Sequence, residues 1–335
     1  MGDGMRVGLG LGVLATLACV AGGFGCGSNG ADAAMAGDGA SVADPSSPPA
    51  PPPPAPPSPL PSQLQLDGGG GASDDAAALA PVDPGFRTMW AVDDANRLVR
   101  FTSTAPADVT MLAVTGLPVG ERLLGVDFRP ADGKLYALGA TSRLYLVDRD
   151  KGVATAVGTK SFAPALAGSA FGFAVNPVAD KLRVQSDYDQ NLRLDPATGA
   201  ATSDAMLAFA AGDPNQFQSP NLVASAYTNS VSGAPSDTVL FALDSTRDLL
   251  TKLVTPNDGQ VTTIGSLGVD ITDVAGFDIW GGSSAAGSRP LQAFAVLMTD
   301  APTSSLYTID LDSGVATLVG AIGSKGALHG LAIEP

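Results

Sequence analysis

Five short segments of one shared shape recur along the chain, and this repeat constrains the fold more than any other feature. Each segment begins with a small residue, continues with alternating apolar residues, contains an Asp, Asn or Glu, and often ends at Pro. Their starts lie 47, 52, 52 and 54 residues apart, at 125–130, 172–177, 224–229, 276–280 and 330–335. Periods of this length are typical of architectures built from stacked supersecondary units.

Further apolar runs after each segment indicate the content of one unit. The first four segments are followed by a second run, at 135–138, 182–184, 239–243 and 293–297. A third run, a turn centred on Gly and a Thr/Val-rich run come next, most clearly at 144–157 and 306–319. Short β-branched and aromatic runs bounded by Asp, Gly and Pro predict strands and hairpins. Four strands in about 50 residues match a propeller blade.

The two ends of the repeat region complement each other. Runs 89–93, 97–101 and 109–114 predict three strands without a leading strand, whereas 329–335 is a leading strand without a blade. We therefore predict an all-β fold, a β-propeller of five four-stranded blades closed by the C-terminal strand, with no bare sheet edge. The alternative is an open sandwich of repeated hairpins.

Taken in order, these motifs resemble the family catalogued as domain of unknown function 4394, which occurs in bacterial exported proteins. The motifs are 125–130 with 135–138, 171–177, 191–199, 226–229, 256–259 and 306–310. The resemblance covers nearly all of residues 87–335. It implies an exported β-repeat protein and brings no established activity and no site residues.

The first 26 residues have the pattern of a signal peptide. Arg6 precedes an apolar run at 7–24, and Gly25-Cys26-Gly27 resembles the junction at which bacterial lipoproteins are cleaved and lipidated. We predict a lipid at Cys26, with Cys19 as the alternative, and hence an exported, membrane-anchored lipoprotein of the cell envelope. An ordinary secretory signal with incidental cysteines and an uncleaved membrane anchor are the other interpretations.

Residues 27–82 are predicted to be a disordered linker. Residues 48–61 are almost entirely Pro, Ala and Ser, and 68–71 are four glycines. Such a composition favours extended polyproline II structure and slack chain, neither of which buries a core. We interpret the linker as a spacer between the anchor and a folded domain at 83–335; the other reading is a tail without function.

Charge and composition exclude several classes of function. The net charge is −15 and the pI is about 4.2, so the surface repels phosphate backbones and nucleic acid is not an expected partner. No cysteine follows Cys26, which excludes a thiolate metal site or a cysteine nucleophile in the predicted domain. The chain's one histidine, His329, starts the closing segment, where we expect a partly exposed strand-end residue.

We interpret five acidic and amide residues as recurring at one strand position of the five segments: Asp127, Asn176, Asn229, Asp278 and Glu334. One hypothesis is a polar ring in the propeller channel that binds a cation or a sugar hydroxyl. The other, which we favour, is that these residues mark where each strand enters a turn. We predict no cofactor; Asp-rich turns such as 187–189 and 310–312 leave Ca²⁺ as an option.

Two functions remain. The first is a non-catalytic binding or scaffolding module of the envelope, monomeric, touching the membrane only through its lipid, and engaging an unknown protein, glycan or envelope component. The alternative is a metal-assisted hydrolase or lyase with Asp and Asn ligands at the channel. The shortage of ligands counts against it, since Glu121 and Glu334 are the only glutamates and His329 the only histidine.

Overall fold

The computed structural model describes residues 85–233, 235–284 and 287–335. The predicted signal peptide, Cys26 with its alternative Cys19, and the linker 27–82 lie outside this part of the chain. Within it, no helix combines the length and the apolar character that crossing a membrane requires.

Strands account for most of the described fold, with one 3-10 turn at Pro256–Asp258. In chain order the strands are β1 (Thr88–Asp93), β2 (Arg97–Thr102), β3 (Ala105–Ala113), β4 (Leu123–Arg129), β5 (Lys134–Gly139), β6 (Arg143–Asp148), β7 (Val153–Val157), β8 (Phe171–Asn176), β9 (Lys181–Ser186), β10 (Asn191–Leu194), β11 (Ala201–Ser203), β12 (Ala208–Phe209), β13 (Leu222–Tyr227), β14 (Leu240–Asp244), β15 (Leu249–Leu253), β16 (Gln260–Ser266), β17 (Ala275–Ser284), β18 (Gly287–Leu297), β19 (Ser305–Ile309), β20 (Ala316–Ala321) and β21 (Leu328–Ile333).

The strands form five sheets, which are the blades of a five-bladed β-propeller. From the axis outward the blades are β21-β1-β2-β3, β4-β5-β6-β7, β8-β9-β10-β11, β13-β14-β15-β16 with β12 outermost, and β17-β18-β19-β20. We number them 1 to 5 in that order. Each innermost strand contacts the innermost strands of both neighbouring blades, which closes the ring. The predicted fold is therefore confirmed, and the five repeat segments are the five innermost strands.

The closing strand occupies the predicted place. β21, at the end of the chain, pairs antiparallel with β1, with Met89 opposite Ile333 and Trp90 opposite Ala332. The innermost strands approach each other closely, because a Cβ on Gly276 would lie 2.2 Å from the carbonyl carbon of Gly330. The small residue that starts each segment thus lets backbones meet at the axis.

Alternation along the strands builds a core at every blade boundary. Successive side chains of a strand point to opposite faces of its sheet, so each blade buries one face against the preceding blade and the other against the next. The described part of the chain accordingly has five hydrophobic clusters, one between each pair of neighbouring blades.

Blade 4 differs from the predicted four-stranded unit. Ala208 and Phe209, in the connection from blade 3, pair in parallel with Gln260 and Val261 and add β12 to its outer edge. A two-residue strand carries no periodic pattern, so the sequence does not reveal it. The pairing of β12 with β16 fixes the connection between blades 3 and 4 to the outer edge of blade 4.

Candidate functional site

The third residue of each repeat segment lies beside the propeller axis. This axial position is occupied by Asp127 in blade 2, Ala174 in blade 3, Ala226 in blade 4, Asp278 in blade 5 and Ala332 in blade 1. Two of the five residues predicted as a polar ring are therefore at one structural position, and the other three segments place alanine there.

Asp127 and Asp278 make the same contacts at two different blade boundaries. Both are buried, with 5% and 6% of their surface exposed. The Oδ1 atom of Asp127 accepts the N–H of Phe128 at 2.7 Å, and Oδ2 accepts that of Val175 in blade 3 at 2.6 Å. The carboxylate thus joins the innermost strands of two blades.

Asp278 repeats this arrangement between blades 5 and 1. Its Oδ1 accepts the N–H of Ile279 and its Oδ2 that of Ile333, both at 2.7 Å. An innermost strand has no ladder partner on its axial side, so some of its N–H groups need another acceptor. The two carboxylates supply that acceptor to four N–H groups at the axis.

Burial also changes the acidity of these two groups. Removal from water raises the pKa of Asp127 well above its usual value, and the nearby charge of Asp278 raises it further. Burial raises the pKa of Asp278 to about 7, against the opposing effect of its two backbone hydrogen bonds. Two interacting carboxyls in a dry site resist ionising together.

The remaining three predicted ring residues lie at the exits of their strands. Asn176 Oδ1 accepts the N–H groups of Val178 and Ala179 in a turn, at 2.9 and 2.8 Å. Asn229 donates through Nδ2 to the carbonyl oxygen of Asp237 at 2.9 Å. These two follow the turn reading that the sequence analysis favoured.

Glu334 has a third role, because it bridges two blades. Its Oε1 accepts the indole N–H of Trp90 at 2.9 Å and lies 3.4 Å from Nη1 of Arg149 in blade 2. The five residues therefore do not form one ring. Counted from the small residue that starts each segment, they occupy three different positions: Asp127 and Asp278 lie two residues after it, Asn176 and Glu334 four, and Asn229 five.

An axial funnel opens where the innermost strands begin. Its volume is about 320 Å³. The residue immediately before the small residue of every segment contributes to its wall: Leu124, Phe171, Val223, Ala275 and His329. A single funnel is thus assembled from all five blades, although no two of these wall residues are close in sequence.

Polar side chains surround the mouth of the funnel. They are Asp94, Arg122, Ser169, Asp273 and His329. His329 Nε2 lies 2.9 Å from Asp94 Oδ1, and their side chains are 17% and 63% exposed. Asp273 accepts hydrogen bonds from Asn221 and Ser245. The funnel therefore combines apolar wall residues with several polar groups at its mouth.

The funnel is not among the sites predicted from the sequence, in which His329 was expected to be a partly exposed strand-end residue. The signal that points to the funnel is the residue immediately before the small residue of each segment. The residues at this one offset in the repeat are Leu124, Phe171, Val223, Ala275 and His329.

Several carboxylates bind backbone N–H groups in turns. Asp310 Oδ1 accepts the N–H groups of Asp312 and Ser313, and Asp93 Oδ1 those of Ala95 and Arg97. Across 85–233, 235–284 and 287–335, no three His, Cys, Asp or Glu residues are grouped so that they could hold a metal ion. The predicted Ca²⁺ option stays a prediction.

A second cavity lies between blades 3 and 4, at the opposite end of the strands. Asn176 and Tyr227, the last residues of β8 and β13, line it, whereas the funnel begins at the first residue of β8. We call it the inter-blade cleft; its volume is about 330 Å³. Its other lining residues are Ala179, Lys181, Arg183, Arg193, Thr255, Pro256, Asn257 and Asp258.

Comparison with known proteins identifies a family. The sequence profile of the family described as "Domain of unknown function (DUF4394)" matches residues 97–332, more than half of the chain. A search of curated proteins found no match.

Solved structures with a similar fold are diverse. The nidogen/laminin complex contains a chain with 12% identity, a TM-score of 0.42, and coverage of 75% of this chain and 99% of that one. A protein of unknown function from Bacteroides thetaiotaomicron has 13% identity, a TM-score of 0.43, and coverage of 74% and 64%. A catalytically inactive virginiamycin B lyase from Staphylococcus aureus has 9% identity, a TM-score of 0.37, and coverage of 71% and 85%. Likeness of this degree assigns no activity.

Proposed function

We propose that the propeller is a non-catalytic binding module of the bacterial cell envelope. The chain belongs to the DUF4394 family, whose description assigns no activity. The observation that carries the proposal is the axial funnel. All five blades contribute one wall residue to it, and its mouth gathers residues of both charges.

The funnel supports binding better than chemistry. Its lining combines aliphatic and aromatic side chains with polar ones, so a ligand can bury apolar area there and also form hydrogen bonds. At its mouth, Asp94 and Asp273 can accept hydrogen bonds and Arg122 can donate them. A protruding group of a glycan or protein that carries polar and apolar parts fits such a surface.

The setting of this module is part of the proposal. The signal pattern with Cys26, followed by the Pro-rich linker, supports a lipid-anchored domain held away from a membrane. The partner would be a protein, glycan or other envelope component within reach of the tether, and the domain would act as a monomer.

Co-sedimentation tests the funnel. The purified chain is mixed with isolated cell-wall sacculi and, separately, with envelope vesicles. We expect one of these to retain the wild type. Arg122→Glu should weaken retention about tenfold, because it reverses an exposed charge at the funnel mouth.

Arg100→Glu is the matched control, since Arg100 is an exposed arginine of β2 that does not line the funnel. It should bind like the wild type. If neither probe retains the wild type, or if Arg122→Glu binds as well as Arg100→Glu, the funnel is not the binding site.

Metal analysis separates this proposal from the hydrolase or lyase alternative. Asp127 and Asp278 each bind two backbone N–H groups, and the remaining predicted ring residues lie at other positions. We expect the purified chain to contain far less than one divalent ion per molecule. A stoichiometric ion that survives dialysis would favour the enzyme instead.

A further inference from the structure

Blade 3 departs from the repeat at a position that is aromatic in every other blade. Opposite the axial position, the second strand of each blade carries Trp90, Tyr136, Phe241 or Phe294 in blades 1, 2, 4 and 5. In blade 3 the same position, opposite Ala174, is Arg183. An aromatic core residue has thus been replaced by a guanidinium, which is expensive to bury unless its contacts compensate.

Arg183 is buried and held from both sides of the blade 3–4 boundary. Its side chain is 3% exposed. Within blade 3, Nη1 donates to Asn191 Oδ1 at 2.8 Å and to Asp204 Oδ2 at 2.5 Å. In blade 4, Nη2 donates to Asn257 Oδ1 at 2.7 Å. These contacts fix the guanidinium at the base of the inter-blade cleft.

A second arginine shares the same carboxylate. Arg193 donates to the two oxygens of Asp204 through Nε and Nη2, both at 2.8 Å. Asp204 is 5% exposed, whereas Arg193 is 35% exposed and lines the cleft. The two guanidinium groups of Arg183 and Arg193 share the single carboxylate of Asp204, so these three groups together carry one net positive charge. The whole chain has a net charge of −15.

Polar groups continue along the same face of blade 3 toward the funnel end of β9. Lys181, Arg183 and Gln185 alternate along β9, so they share one face of the sheet. Gln185 is fully buried, and both its amide nitrogen and its amide oxygen are without a hydrogen-bond partner among the described residues. At the corresponding places blades 2, 4 and 5 have Leu138, Leu243 and Val296. Arg183 and Gln185 thus distinguish this face of blade 3, whereas the place of Lys181 also holds a lysine, Lys134, in blade 2.

The mouth of the cleft is suited to hydroxyl groups. Asn257 uses its Oδ1 on Arg183, which leaves its Nδ2 as a donor beside the exposed carboxylate of Asp258. Thr255 adds a hydroxyl. The cleft volume of about 330 Å³ lies within the range of small-ligand pockets.

We propose that the inter-blade cleft binds a small hydroxylated carboxylate, a sugar acid of one or two units, with its carboxylate against Arg193 and its hydroxyls against Asn257 and Asp258. Lys181 also lines the cleft, but its ammonium group is paired with Asp195 at 2.7 Å. Guanidinium groups pair bidentately with carboxylates, and the charge-assisted hydrogen bonds are stronger than neutral ones. This site is independent of the axial funnel, from which it is separated by the length of the innermost strands.

Calorimetric titration of the full chain with galacturonate tests the proposal, with galactose and inorganic phosphate as comparison probes. We expect galacturonate to bind, galactose to bind at least about tenfold more weakly, and the galacturonate affinity to fall as salt is added. Phosphate should bind more weakly than galacturonate, because it makes no use of the hydroxyl-binding mouth.

Two variants change the affinity in opposite directions. Arg193→Gln should weaken galacturonate binding about tenfold or more by removing a charged donor. Asp258→Asn should strengthen it severalfold at low salt, because a like charge leaves the mouth while an acceptor stays. Arg100→Gln removes the same charge as Arg193→Gln from an exposed site on blade 1 and should leave binding unchanged.

Circular dichroism and melting of each variant check that it is folded. The sugar-acid proposal is overturned if galacturonate gives no heat at millimolar concentration, or if phosphate binds as tightly as galacturonate. It is equally overturned if Arg193→Gln melts like the wild type and still binds galacturonate normally, or if Asp258→Asn weakens binding. None of these results touches the co-sedimentation test of the funnel.

Discussion

Two blade boundaries use the same strand positions with opposite chemistry. Between blades 5 and 1 the axial position is Asp278 and the residue opposite it is Phe294; between blades 3 and 4 these positions hold Ala174 and Arg183. Asp278 is satisfied by two backbone N–H groups and closes the axis. Arg183 is satisfied by side chains and lies at the base of an open cleft.

This difference separates a buried charge that holds the ring together from one that shapes a surface. Backbone N–H groups of neighbouring innermost strands need an acceptor at the axis whatever the protein binds. The fold does not require the guanidinium of Arg183 to satisfy backbone groups, because the other four blades have an aromatic residue at this position. A departure from the local pattern of a repeat is most often found at functional positions.

Removal of the closing strand should break the first of these boundaries and have the largest effect. Cutting the chain after Gly326 removes Leu328, Leu331 and Ile333, which are at most 4% exposed, and leaves Asp278 without the N–H of Ile333. Each buried aliphatic side chain is worth roughly 1.5–3 kcal/mol, and bare sheet edges promote aggregation. We expect an insoluble protein, or one that melts far below the wild type.

Deletion of residues 48–56 from the predicted linker is the matched control, because it removes the same length of chain and should leave melting unchanged. If the chain cut after Gly326 instead melts within a degree or two of the wild type, β21 contributes little to closing the ring.

Asp278→Ala should destabilise the same boundary without removing a strand. Two buried N–H groups, those of Ile279 and Ile333, would lose their acceptor. Each unsatisfied buried group costs about 1–3 kcal/mol, so we expect a loss of about 2–6 kcal/mol in urea unfolding at pH 5. Asp94→Ala, at an exposed carboxylate of the funnel mouth, should change stability by less than about 1 kcal/mol. If the two variants lose the same amount of stability, Asp278 does not hold blades 5 and 1 together.

The pH dependence of stability should come from the axial pair. The pKa values of Asp127 and Asp278 are raised in the folded chain by burial, to about 7 for Asp278, whereas an unfolded Asp has a pKa of about 3.9. The folded state therefore holds these protons more tightly. The resulting stabilisation is complete below about pH 4 and is lost as pH rises toward 7, by a few kcal/mol.

Urea unfolding of the wild type between pH 4.5 and 8 measures this loss. In Asp278→Asn the slope with pH should be smaller, because Asp278 no longer titrates and Asp127 loses a neighbouring charge; the remaining slope comes from the burial of Asp127. A wild type whose unfolding free energy rises with pH across this range would show that the axial carboxyls are ionised throughout.

The sequence predicted the fold because the repeat reports directly on it. Small residues at 125, 172, 224, 276 and 330 mark the innermost strands, and the orphan segment at the end of the chain predicted closure by β21. The site was less accessible. Asp127 and Asn176 look alike in a list of polar residues, yet one is two residues past the small residue and the other four, which in a strand changes their depth along the axis.

Other features could not be read from one sequence. Arg183 stands out only when the register sets it beside Tyr136 and Phe241, and register depends on strand pairing across the blade. The contact between Asp127 and Val175 joins residues 48 positions apart whose proximity follows from ring closure. These are consequences of tertiary structure that local patterns do not encode.

Arg183→Phe should convert the blade 3–4 boundary to the chemistry of the other four. Asn191 and Asn257 would each lose a donor, while Asp204 would keep Arg193 as its partner. We expect a stability loss of about 1–3 kcal/mol, partly offset by the buried ring, together with loss of galacturonate binding. If this variant is folded and binds galacturonate like the wild type, Arg183 does not shape the cleft.

His329→Gln should have the smallest effect on stability. It therefore tests the distinction between polar residues that stabilise the fold and polar residues that bind a ligand. His329 bonds Asp94 at 2.9 Å, but Asp94 is 63% exposed, so water screens the contact and competes for it. Exposed pairs of this kind contribute about 0–1 kcal/mol. Urea unfolding at pH 7 should therefore place the variant within about 1 kcal/mol of the wild type, with the same dependence on urea concentration. Because Gln keeps a polar group at the funnel mouth but not the shape of the imidazole ring, retention on the envelope probe should still fall. A stability loss above about 2 kcal/mol would instead place His329 among the residues that hold the ring, with Asp278, and would remove it from the binding surface.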